Sequence, residues 1–223
     1  MIPFNPPKFQ TLMNPQIQKW KIRCVIYDCD GVLFDSIESN KKLYNDLCLS
    51  VGREPLREDE IKYIHSHTVS EAIHFLFGQD EGLEKKSLEL TKQIDLRKYI
   101  VYLKMEPFLL HMLNLLKGNG IFRAINTNRT TSMPHIMERF GLLPFFDMVV
   151  TALDVKNPKP HPESIEKILL HFDLKREEAV FVGDSEVDRQ TAKSSGVRFV
   201  AYKNREIAND AYLDDHLDLL RYL

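Results

Sequence analysis

Asp28-Cys29-Asp30-Gly31-Val32 places two carboxylates two residues apart, directly behind the apolar run Ile22–Tyr27, and Gly31 permits a tight backbone turn. A carboxylate at the end of a buried strand projects into a ligand crevice. If it attacks a phosphate it meets charge repulsion, which a bound cation neutralises. Ala124-Ile125-Asn126-Thr127-Asn128 brings a hydroxyl and an amide to the end of another such run, where both can donate to phosphate oxygens. In Asn157-Pro158-Lys159-Pro160-His161-Pro162 flanking prolines restrict the backbone around a lysine, pre-positioning a point charge for phosphate. Val182-Gly183-Asp184-Ser185-Glu186-Val187-Asp188 adds two more acids, hard oxygen ligands suited to Mg2+. Ser185 with Asp188 also matches a capping box, which gives Asp188 a structural reading that Asp184 lacks. Taken alone, each stretch also fits a polar turn at a strand end or a surface loop. Their joint order decides, because all four follow buried β-prone runs.

Those runs are Ile22–Tyr27, Ile121–Ile125, Met148–Val150, Ala179–Val182 and Val197–Ala201, short and apolar as in strands covered on both faces. Helical patterns alternate with them. Met133, Ile136, Met137 and Phe140 precede Gly141 at a C-cap position, and Ile165, Ile168, Leu169 and Phe172 follow Pro162 in a first turn. Phe108–Leu116 is an apolar helix stopped by Gly118 and Gly120. The alternation predicts a doubly wound parallel-sheet α/β core with its ligand site at the C-terminal strand ends.

One segment, 36–104, breaks the alternation with helical patterns alone. Ile37, Tyr44, Leu47 and Cys48 mark one helix ending near Gly52. Ser70 is placed to cap a second that carries Ile73, Phe75, Leu76 and Phe77. Leu83, Leu90, Ile94 and Val101 suggest a third, longer one. An all-helical insertion here is expected to act as a lid. The expected organisation is an arm over 1–19, a core of 20–35 with 105–223, and a helical domain over 36–104. The arm holds four prolines, Pro3, Pro6, Pro7 and Pro15, and little periodicity.

With 223 residues, 43% hydrophobic and 28% charged, the chain can bury a full core. A formal charge of -2 supplies no basic footprint for nucleic acid or anionic lipid, and no apolar stretch is long enough to span a bilayer. The first ten residues lack a secretory pattern. Cys24, Cys29 and Cys48 form no CxxC pair and read as reduced thiols, two of them on the first strand. These features predict a cytoplasmic protein with no nucleic acid and no membrane as partner, and they leave a monomer or homodimer open.

The four motifs, in this order, resemble those of the haloacid dehalogenase (HAD) superfamily, specifically its phosphatases with a helical cap inserted after the first strand. Asp28-x-Asp30-Gly31-Val32 matches the first motif and Phe34-Asp35-Ser36 the exit toward the cap. Thr127-Asn128 matches the second, Lys159 the third, and Gly183-Asp184-Ser185-x-x-Asp188 the fourth. The resemblance spans Trp20 to about Tyr202. It implies a Mg2+-dependent phosphatase acting on a small phosphomonoester, phosphoglycolate being the commonest label for such sequences. It further implies Asp28 as nucleophile and Asp30 as general acid and base, with a phospho-aspartyl intermediate. Thr127, Asn128 and Lys159 would hold the phosphoryl oxygens, with Gly31 and Arg129 at the substrate. Mg2+ would lie between the Asp28 carboxylate, the Asp30 backbone carbonyl and Asp184. Asp188 would support it through water or by orienting Lys159.

Two alternatives use related chemistry. Sugar phosphomutases of the superfamily share both aspartates but carry a histidine near the cap hinge, where this chain has Asn40. Receiver-like signalling domains also phosphorylate a strand-end aspartate, but they are shorter and lack a cap. A dehalogenase is disfavoured because Asp30 is present. Among other residues, Arg129 reads either as a contact for a substrate carboxylate or phosphate or as a surface arginine. Cys29 reads as packing. His65-x-His67 reads as a solvated turn more readily than a metal site, and Asp214-Asp215-His216-Leu217-Asp218 as the solvated start of a final helix.

Overall fold

The structure, a computed structural model, describes residues 19–223, so the expected arm lies outside the described residues save for Lys19. The chain divides into two compact units, Met1–Phe34 with Met105–Leu223, and Asp35–Lys104.

The first unit is built on β1 (Cys24–Tyr27), β4 (Phe122–Asn126), β5 (Met148–Val150), β6 (Ala179–Gly183), β7 (Arg198–Tyr202) and β8 (Ala211–Leu213). Two short strands, β2 (Phe34–Asp35) and β3 (Lys104–Met105), lie where the chain passes between units. The main sheet has the order β5-β4-β1-β6-β7-β8, and every neighbouring pair is parallel. This is the expected doubly wound α/β core. β8 has no counterpart among the predicted runs, because three residues followed by two acids carry too little apolar pattern.

β1 sits at the centre, and Cys24, Val25, Ile26 and Tyr27 are all fully buried. A strand covered on both faces cannot alternate polar and apolar residues. On one face Cys24, Ile26, Phe181 and Phe199 pack with Ile165 and Ile168 of α7 (Glu163–His171) and Ala192 of α8 (Glu186–Ser195). Complete burial of a ring such as Phe181 stabilises by roughly 2–3 kcal/mol. On the other, the Tyr27 ring meets Phe146 and His216 edge-on, at 6.2 and 5.8 Å between centroids. The remaining helices are α5 (Leu109–Gly118) and α6 (Met133–Arg139).

Several local expectations need correction. Phe108 does not begin α5 as a core residue. It precedes the helix with φ 61° and is exposed, and the buried face starts at Leu109. Pro162 is the N-cap of α7 and not a first-turn residue. Cys29 lies beyond β1, not on it. The acidic tail opens a 3-10 helix, His216–Arg221, but His216 is buried: its ring stacks on Tyr202 and its Nε2 lies 2.9 Å from the Val32 carbonyl oxygen.

The second unit contains α1 (Ile37–Ser50), α2 (Glu58–Ser66), α3 (Val69–Phe77), α4 (Glu81–Gln93) and a 3-10 helix, Leu96–Tyr102. Its core joins Tyr44, Leu47, Cys48, Ile64, Ala72, Ile73, Leu76 and Phe77. Ile37 and Phe75 are exposed, so neither belongs to the buried stripe assigned to it. Thr68, not Ser70, caps α3: its side chain accepts from Glu71 N while Glu71 accepts from Thr68 N. The expected long third helix ends at Gln93, because Ile94 and Asp95 turn extended before the 3-10 segment. α2 escaped prediction, since its run of acids hides a short apolar face. The His65 side chain is outside the described residues. The His67 ring stacks on Tyr63 at 3.8 Å.

Candidate active site

Strand register brings the four motifs together. Tyr27 is level with Ile125 on β4 and with Val182 on β6, so Asp28 comes level with Asn126 and Gly183. Thr127 and Asp184 then stand one residue further along, on either side of Asp28. Backbone bonds hold the tips: Asp28 N donates to Val182 O at 2.9 Å and Thr127 N to Val150 O at 3.0 Å.

Lys159 arrives from the loop between β5 and α7. Its Nζ donates to Asp28 Oδ1 at 2.7 Å and to Asp188 Oδ1 at 2.6 Å, with all three side chains buried. Asp188 Oδ2 accepts from Ser185 Oγ at 2.6 Å and Ser185 N at 3.2 Å, closing the expected capping box of α8. The same carboxylate thus caps a helix with one oxygen and orients the lysine with the other.

Two glycines let these groups approach. Gly31 has φ +71°, and a Cβ there would lie 1.9 Å from Asp184 Oδ2. A Cβ on Gly183 would lie 2.4 Å from Asp188 Cβ. Gly31 therefore makes room for a carboxylate.

Other groups set the loops. Asn128 Nδ2 donates to Lys159 O at 3.0 Å, and Lys159 N donates back to Asn128 Oδ1 at 3.1 Å. Glu163 accepts from Lys156 N at 2.7 Å and Asn157 N at 2.9 Å, anchoring the base of that loop. Asn204 Nδ2 donates to Asp184 O at 2.9 Å. The reading of the motifs missed Glu163 and Asn204, and the side-chain task of Asn128. No spacing rule connects these residues, and the acid at the start of α7 was the one available cue. Arg129 meets Asp30 through two parallel bonds, Nε to Oδ2 at 2.7 Å and Nη2 to Oδ1 at 2.6 Å.

The charge balance favours a cation. Asp28, Asp184 and Asp188 each bring one carboxylate oxygen within 4.8 Å of the others. Burial, then the Asp188 carboxylate, pushes the Asp28 carboxyl up to about 7, although Lys159 pulls against this. Burial, Asp188 and Asp28 push Asp184 well above the usual carboxylate range. Burial opposes the charge on Lys159, but Asp188 and Asp28 outweigh it and raise its pKa. Three crowded acids against one ammonium, all hard oxygen donors, form a set that fits Mg2+. By contrast, burial pushes the Cys29 thiol far up, with Asp30 adding to it, so this thiol is an inert packing group.

The model for haloacid dehalogenase-like hydrolases matches residues 25–202. The chain belongs to this family. A solved structure of a subfamily IA HAD-superfamily hydrolase from Geobacter sulfurreducens is 38% identical, with a TM-score of 0.74 over 91% of this chain and 98% of that one. A phosphoglycolate phosphatase of Rhodobacter capsulatus is 29% identical over 191 residues, 80% of this chain and 83% of its own. A pyrophosphatase of Bacillus cereus is 28% identical over 184 residues, 81% of this chain and 83% of its own. The family resemblance drawn from the four motifs is borne out, and the matched span contains all four. Among the described residues no helix is long and apolar enough to cross a membrane.

Proposed function

We propose that this hydrolase is a Mg2+-dependent phosphatase that cleaves a small phosphomonoester through a phospho-aspartyl intermediate on Asp28. The observation that carries the reading is the buried ammonium of Lys159 between Asp28 and Asp188, beside Asp184, at the C-terminal edge of the sheet. The names of its relatives support the same class: one acts on phosphoglycolate and another on pyrophosphate. The helical unit, Asp35–Lys104, is read as the cap that selects the leaving group.

In this mechanism an Asp28 carboxylate oxygen attacks phosphorus and the bond to the leaving oxygen breaks. Asp30 gives that oxygen its proton. Asp30 then takes a proton from water, whose oxygen attacks the aspartyl-phosphate, releasing phosphate and restoring Asp28. Thr127, the Asn128 backbone and Lys159 hold the phosphoryl oxygens as charge develops. Asp28, Asp184 and the Asp30 carbonyl would hold Mg2+, with Asp188 in support; the ion would supply charge neutralisation between carboxylate and phosphate.

The test is phosphate release from a panel including phosphoglycolate, sugar phosphates and pyrophosphate, with Mg2+ or EDTA. Release that needs Mg2+ and disappears in Asp28→Asn is the expected result. Release unaffected by that substitution would overturn the reading.

A further inference from the structure

The side chain of Arg129 crosses from the tip of β4 to the tip of β1. Its main chain is fixed at both ends: Arg129 N donates to Thr127 Oγ1 at 3.1 Å, and Ala152 N, beyond β5, donates to Arg129 O at 3.2 Å. Nε and Nη2 take the two oxygens of Asp30, and Nη1 reaches Ser132 Oγ at 3.4 Å. Each guanidinium nitrogen thus already has a protein partner, and the side chain is 14% exposed. Burial works against the charge, but Asp30 outweighs it and the group stays an arginine cation.

A planar fork on a carboxylate fixes the direction of both oxygens, which a single point charge does not. The terminal torsion of an aspartate is otherwise broad and two-fold. Proton transfer requires hydrogen-bond reach of about 2.6–3.2 Å, so the placement of this carboxylate governs its efficiency. We propose that Arg129 is the positioning residue of Asp30, holding its carboxylate by two parallel hydrogen bonds, and not a contact for the substrate. The inference rests on Asp30 being the group that moves the proton.

A double-mutant cycle tests it, with p-nitrophenyl phosphate as substrate and Mg2+ present. The leaving group of this ester departs without a proton, which keeps Asp30→Asn measurable, while hydrolysis of the aspartyl-phosphate still calls on Asp30. In the native background Arg129→Met is expected to lower kcat by about 10- to 100-fold with little change in KM. Arg129→Lys, keeping the charge but not the fork, recovers part of kcat. In the Asp30→Asn background, Arg129→Met should change kcat by less than about twofold, because the residue it acts through is already gone. An equal loss in both backgrounds, or a rise in KM with kcat preserved, identifies a substrate contact and overturns the proposal. Full activity of Asp30→Asn would remove the mechanism beneath it and overturn both, whereas a native-like Asp28→Asn defeats the phosphatase reading first. Far-UV circular dichroism of each variant separates loss of fold from loss of function.

Discussion

Lys159 Nζ lies 2.7 Å from Asp28 Oδ1, with both side chains buried. The lysine is thereby held where its charge offsets that of the Asp28 carboxylate, and its second bond, to Asp188, keeps it from swinging away. Either acid without the ammonium would face the other across a low-dielectric site.

Lys159→Met should therefore harm both fold and turnover. Removing one member of a buried charge group typically costs about 3–5 kcal/mol, so the urea midpoint in EDTA should fall accordingly. Phosphate release should drop by at least about 100-fold, as for loss of a donor to developing charge. An unchanged rate would detach Lys159 from the chemistry.

Asn128→Ala removes the two bonds that tie the β4 tip to the backbone of Lys159. The expected destabilisation is about 1–3 kcal/mol. A variant that keeps its fold should show lower kcat, because the lysine loop loses its anchor. Denaturation curves and steady-state kinetics, taken together, check this. If both match the native protein, the side chain has no such task.

Metal affinity should depend on pH with a definite sign. Cation binding needs ionised ligands, and the pKa values of Asp28 and Asp184 are both raised, the former to about 7. Affinity for Mg2+ should therefore rise as pH increases through about 7. Thermal stabilisation by Mg2+ should be larger at pH 8 than at pH 6, reaching about 2.7 kcal/mol at a hundredfold excess over Kd. Asp184→Asn should abolish most of it. Equal shifts at the two pH values would speak against these ligands.

His216 predicts an acid-sensitive fold. Its neutral ring donates from Nε2 to the Val32 carbonyl, and burial depresses its pKa to about 4 from 6.5. The unfolded chain binds the proton more readily, so this contribution is complete above about 6.5 and erodes as pH falls toward 4. By pH 5 the loss reaches about 2 kcal/mol. Asp28, whose pKa is raised, changes stability in the opposite sense over much of that range, so the effect must be read as a difference. The gap between native protein and His216→Gln in urea midpoint should narrow on going from pH 7.5 to pH 5. A gap independent of pH would rule out His216 as the sensor.

Much of this site is legible in the sequence. Asp28, Thr127 and Asp184 each follow an apolar run, and such runs end at one edge of a parallel sheet as a matter of topology. The capping box of Ser185 and Asp188 was likewise a local signal, and it is present. The errors fell where local pattern is weak. Thr68 replaced Ser70 as a cap because a reciprocal glutamate lies at the right spacing from the threonine. His216 was assigned to solvent because its acidic neighbours dominate the segment, yet its ring stacks on Tyr202.

The fold class, the helical insertion and the family of hydrolases were legible in the sequence alone, through residue type and spacing along the chain, whereas the order of the strands in the sheet was not. The partners of each charge were decided by the tertiary structure. Lys159 and Asp28 are 131 residues apart, and Arg129 and Asp30 are 99 apart. No periodicity relates such distant positions. They meet because parallel strands bring separate loops to one edge, where buried charges must find opposite charges or pay the cost of desolvation.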